Sequence, residues 1–142
     1  MVSLWMVVSL WMVVLWMTAL SVCDIRHRRL PNALTLPGAA VILLTAAAAG
    51  RGLPALAGAA ALTGIYLLVH LVAPAAMGAG DVKLAIGCGA LAGWCGVEVW
   101  LLAALAAPLL TGLAALAGGV RVVPHGPSMC LATATAVGLA VI

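Results

Sequence analysis

From Val2 to Val22 the chain carries no charged residue, and that one stretch decides which solvent the fold must suit. A helix needs about 20 apolar residues, at about 1.5 Å each, to cross a hydrocarbon core roughly 30 Å thick. The pattern continues downstream. Of 142 residues, 67% are hydrophobic and only 6% are charged, where a soluble domain carries about 25% charge. A water-facing surface cannot be built from so little charge, so lipid is the solvent for most of this molecule. Backbone in lipid must satisfy its own hydrogen bonds, which leaves a helix bundle or a closed barrel. The apolar stretches are continuous, rich in Leu and Ala, and lack period-two alternation, which selects helices.

Polar and turn-forming residues divide the chain into six apolar segments. They span 2–22, about 33–49, 54–73, a fourth that follows Asp81 and ends near Cys95, 97–117 and 127–142. The expectation is an all-α polytopic membrane bundle of about six transmembrane helices, forming one domain over 1–142. Segments two, four and six fall short of a full span. Pro37 sits near the start of segment two, which allows a short or re-entrant element there. The first segment has no basic n-region and is longer than a signal-peptide core, so it reads as a retained first helix. Within it, 3–8 reads SLWMVV and 9–14 repeats it. A period of six is neither a heptad nor a solenoid repeat, and it reads as a greasy helix tolerant of any apolar sequence.

The basic residues give an orientation. Arg26, Arg28 and Arg29 lie in loop 24–33, Lys83 in the loop ending near 83, and Arg121 in loop 119–126. These three loops fall on one side. The opposite loops carry only Arg51 and Glu98. By the positive-inside rule the three polar loops are cytoplasmic and both termini are outside.

Several chemistries are excluded. The net charge of +3 and the absence of a long basic run give no case for nucleic acid. None of the four cysteines forms a C-x-x-C pair, and they read as small hydrophobes. His27, His70 and His125 are widely spaced, so no metal set and no catalytic Ser-His-Asp or Cys-His grouping stands out. The reading calls for no cofactor and no metal.

Two of the three acidic residues remain. Asp24 sits at the cytoplasmic end of helix one and Asp81 at the cytoplasmic start of helix four, so topology puts them at one depth. Two carboxylates in a low-dielectric setting cannot both ionise cheaply, and one keeps its proton. That is the state in which one carboxylate can activate water while its partner polarises a carbonyl. On the residues alone, Asp81 serves equally as an N-cap, and Asp24 as a juxtamembrane charge.

At these residues the sequence resembles a known family. Gly78-Ala79-Gly80-Asp81, followed by Val82-Lys83-Leu84, matches the G-x-G-D motif of type IV prepilin peptidases. Asp24, with Pro31-Asn32 seven and eight residues on, matches the family's other catalytic segment. Pro124-His125-Gly126-Pro127 looks like the P-x-G-P turn that opens the family's last helix, with His125 where the family often has an aromatic residue. The resemblance covers about residues 20–140. It implies a bacterial or archaeal inner-membrane aspartic peptidase, with Asp24 and Asp81 as the catalytic pair. Such an enzyme removes the short basic leader of prepilin-like proteins at the cytoplasmic face, commonly after a glycine. Compact members lack the N-terminal domain with paired C-x-x-C motifs, so methyltransferase activity is not expected, and they often serve tight-adherence pili.

The residues expected to shape the site are Gly78, Gly80, Lys83, Pro31, Asn32, Pro124, Gly126 and Pro127. Gly78 and Gly80 would give a substrate strand or a facing helix room beside Asp81. Asn32 can cap helix two. Lys83 reads as a positive-inside anchor. The basic cluster 26–29 suits anionic headgroups and would repel a basic leader. The expected partners are a prepilin-like substrate and membrane lipid. His70 and His125 read as hydrogen-bonded interface residues, and the five tryptophans as apolar or interfacial anchors. Two readings from other classes stand beside the enzyme: a non-catalytic pilus-assembly protein, and a transporter subunit that uses the two Asp for ions or protons.

Overall fold

The computed structural model describes residues 3–142; Val2, where the first segment was expected to begin, lies outside them. Six α-helices follow in order: α1 Leu4–His27, α2 Asn32–Ala48, α3 Gly52–Val72, α4 Ala79–Cys95, α5 Val97–Gly118 and α6 Gly126–Val141. The described residues contain no strand. α1, α3 and α5 are long and apolar enough to cross a membrane. α2 and α4 have 17 residues each and α6 has 16.

The helix ends depart from the expected segments in ways that matter for the polar residues. α1 does not stop at Val22 but runs through Asp24 to His27, because nothing in that stretch breaks a helix. Arg26 and His27 in its last turn complement the negative end of the helix dipole. Arg28 then ends the helix with φ 50, its N–H bonded to the Asp24 carbonyl at 2.8 Å. A non-glycine residue in this left-handed region is uncommon, and here it turns the chain sharply. α4 likewise starts earlier than expected. Gly78 takes the N-cap, which places Asp81 in the first turn rather than at the cap, and Lys83 in the helix rather than in a loop. Pro31 is the N-cap of α2, so Asn32 is the first helical residue and not a cap.

Pro37 lies inside α2 without interrupting it. A proline in a helix interior disturbs the carbonyls of the preceding turn, and in lipid such groups need another donor. The carbonyl left without a helical donor is that of Ala33, and the next one along, Leu34, accepts the Trp16 indole N–H at 2.7 Å. This tryptophan is therefore no surface anchor. A Cβ added at Gly87 of α4 would lie 2.7 Å from the Trp16 ring, and one at Gly38 of α2 would collide with it. The ring thus fills the space between α1, α2 and α4. Trp100 is a second exception, its N–H donating to the Gly58 carbonyl at 2.9 Å. Trp5 and Trp11 do face outward.

α4 is the central helix, packed against α2, α3, α5 and α6. Its closest approach is to α3 along a stripe of glycines. A Cβ at Gly93 would come within 2.6 Å of the Pro54 carbonyl oxygen, and one at Gly89 within 2.5 Å of the Gly58 carbonyl oxygen. Small residues let membrane helices meet backbone to backbone where no hydrophobic effect drives them together. Leu20, Leu84, Met129, Thr35 and Cys88 fill the fully buried centre. The backbones of α1 and α4 do not pack directly; α2 and α6 each touch both.

Candidate active site

Alternating helix directions bring the end of α1 and the starts of α2, α4 and α6 to one end of the bundle. There α1, α2, the turn between them and the start of α4 line an open cleft of roughly 830 Å³. Asp24 and Asp81 both line it, with Gly78, Gly80, Pro31, Asn32 and Lys83. Seven of the ten expected site residues therefore border one space. Gly126 reaches it through Asp24, and Pro124 and Pro127 flank Gly126 in the chain.

Asp24 is buried on the last turn of α1. Its Oδ2 accepts the backbone N–H of Gly126 at 2.9 Å. Gly126 is the first residue of α6, where amide N–H groups have no partner within the helix and the dipole is positive. An anionic group fits such a position. An added Cβ at Gly126 would stand 2.5 Å from Oδ2, so any other residue there displaces the Asp24 carboxylate. Pro127, in the first turn of α6, has no N–H to leave unpaired.

Asp81 enters the cleft from the first turn of α4. A Cβ at Gly78 would sit 3.5 Å from its Oδ2, so the glycine keeps the carboxylate's near side open. The room at Gly80 is taken by neither a facing helix nor a strand. Leu30, buried in the turn between α1 and α2, packs there, with its Cβ 3.2 Å from where a Gly80 Cβ would be. Lys83 does more than mark the membrane surface, because its Nζ donates to Asn32 Oδ1 at 2.7 Å and ties the start of α2 to α4.

His27, Arg28 and Arg29 also line the cleft. The left-handed turn at Arg28 sets these exposed side chains along the cleft. His70 does not line the cleft, and its Nδ1 bonds the Met77 carbonyl at 2.6 Å. His125 bonds the Tyr66 hydroxyl at 2.9 Å through Nε2 and the Thr111 hydroxyl at 2.6 Å through Nδ1. Tyr66 and Thr111 went unremarked in the sequence. The one available signal was that Tyr66 is the only tyrosine and sits in an apolar helix.

Two carboxylates facing one space, one of them oriented by a backbone amide, can divide a proton between them and act on a bound carbonyl. A family model covering residues 11–140, the type IV leader peptidase family, matches this chain. The chain belongs to the type IV leader peptidase family. No curated protein and no solved structure gave a match. This leader peptidase is thus a membrane-embedded peptidase with a prepilin-type substrate. The matched span contains both cleft carboxylates, Lys83, Asn32 and Gly126.

Proposed function

We propose that this leader peptidase is an aspartic endopeptidase whose catalytic pair is Asp24 and Asp81. It removes the short basic leader of type IV prepilin or pilin-like proteins at the cytoplasmic face of a bacterial or archaeal inner membrane. The observation that carries the reading is that both carboxylates line one cleft, although 57 positions apart in sequence. The cytoplasmic placement rests on the basic residues Arg28, Arg29 and Lys83 around that cleft.

The chemistry follows from an uneven division of one proton. The ionised carboxylate takes a proton from water as the water oxygen bonds to the scissile carbonyl carbon. The protonated carboxyl group gives its proton to the carbonyl oxygen, and a gem-diol results. Collapse of the gem-diol transfers a proton to the amide nitrogen and breaks the C–N bond. The dyad again holds one proton, and no covalent intermediate forms. The Gly126 N–H holds Oδ2 of Asp24, which leaves Oδ1 for the water. Gly78 gives a peptide access to Asp81, and Lys83 with Asn32 braces the cleft wall.

Co-expression with candidate prepilins in membranes tests this reading. A size shift should appear with the wild type and vanish with Asp24→Asn and with Asp81→Asn, each variant remaining inserted. Full cleavage by either variant would refute the pair.

A further inference from the structure

We propose that His125, held by Tyr66 and Thr111, is a positioning residue that aims the Gly126 amide at Asp24. The inference rests on the reading of Asp24 as one of the catalytic pair. It concerns how that carboxylate is held, which the aspartic mechanism itself does not specify.

The backbone tie at this point is local, the His125 carbonyl accepting the Met129 N–H at 3.0 Å as the first bond of α6. Val120, Arg121 and Val122 are exposed. His125 is the side chain of this loop that bonds to other helices, with Tyr66 on α3 and Thr111 on α5. The proton directions form a consistent chain. Thr111 donates to the Ala107 carbonyl at 3.1 Å, so its oxygen accepts the Nδ1–H of His125. Nε2 is then the acceptor for the Tyr66 O–H. A neutral imidazole uses each of these groups once.

The amide that touches Asp24 joins His125 to Gly126. The Met129 bond ties the plane of that amide to α6, and fixing the His125 side chain from two sides holds this end of α6 against α3 and α5. Tyr66 and His125 also pack ring against ring, with centroids 5.6 Å apart. Without these ties the start of α6 would shift relative to α3 and α5, and the bond to Oδ2 would lengthen. A hydrogen bond to a carboxylate favours its ionised form, so weakening it makes that form harder to reach.

The test is the pH dependence of kcat/KM for prepilin cleavage by purified full-length protein, comparing wild type, Tyr66→Phe, His125→Phe and Asp24→Asn. Tyr66→Phe removes one hydroxyl and keeps the ring, so it decides the matter even if His125→Phe fails to fold. The proposal expects kcat to fall about tenfold with KM within about twofold of wild type. It also expects the acidic limb of the profile to move up by about half a pH unit. An unmoved acidic limb in Tyr66→Phe, with Asp24→Asn inactive, would overturn the positioning role and leave the catalytic pair standing. Normal cleavage by Asp24→Asn would overturn both.

Discussion

The Gly126 N–H donates to Asp24 Oδ2 at 2.9 Å, joining two residues 102 positions apart. One amide at the start of α6 thereby sets a side chain at the end of α1. Gly126→Ala puts a methyl group against that oxygen. The carboxylate must move or rotate, and a displacement of about 1 Å at a reacting group costs about 100-fold in rate. Cleavage should fall by that order while the protein still inserts. Rate assays on detergent-purified enzyme beside a membrane-insertion assay check this, and an unchanged rate would contradict it.

His125 lies in the loop before α6, and burial pushes its imidazole below the ordinary value of 6.5. The groups facing it are Tyr66 from α3 and Thr111 from α5; Asp24 meets it only through the Gly126 amide. Below that ordinary value the unfolded chain takes up a proton that the folded site resists. The stability it contributes is therefore complete above about pH 6.5 and is lost as pH falls toward the lower folded value. Thermal midpoints measured from pH 7.5 down to pH 5 should drop more for the wild type than for His125→Phe. Parallel curves would argue against it.

Trp16 both fills space and serves as a donor. Trp16→Phe keeps most of the ring but removes the N–H that bonds the Leu34 carbonyl. A lost hydrogen bond costs about 0.5–1.5 kcal/mol, and the smaller ring leaves space beside Gly38 and Gly87, so the variant should melt at a clearly lower temperature. A Trp5→Phe control, at an outward position, should not.

At Gly58, Gly89 and Gly93 the α3–α4 contact leaves no room for a Cβ. Gly93→Ala overpacks a backbone-to-backbone approach and should cost about 1–3 kcal/mol. Gly112→Ala, where an added Cβ meets nothing within 4 Å, should be neutral or stabilise by up to about 1 kcal/mol. Equal melting behaviour of the two would mean that the helices separate freely.

Lys83 and Asn32 form a polar bridge across the cleft wall. A double-mutant cycle with Lys83→Met and Asn32→Ala should return a coupling of about 0.5–1.5 kcal/mol. A coupling near zero would leave Lys83 as a membrane-surface charge only.

The six-helix plan was legible because it depends on length and hydrophobicity, which any window of sequence displays. The two Asp were legible because each sits in a short local motif. What escaped depends on partners distant in the chain. The extension of α1 to His27 ends in a left-handed turn at Arg28, a conformation that no arginine advertises. Trp16 looks like any other tryptophan of its segment until Gly38, Gly87 and the Leu34 carbonyl close around it. The bond between Tyr66 and His125 spans 59 positions, and neither residue signals the other. Asn32 was assigned to its own helix end because capping is local, whereas its partner, Lys83, lies 51 positions on.

α1 and α4 carry the two carboxylates, yet their backbones do not pack against each other. The gap between the acids is therefore a derived dimension, set by two parallel bridges, one through α2 with Trp16 as its shim and one through α6. Tolerances add along each bridge, and each bridge restrains the slack of the other. The spacing of the two carboxylates drifts only when both loosen together.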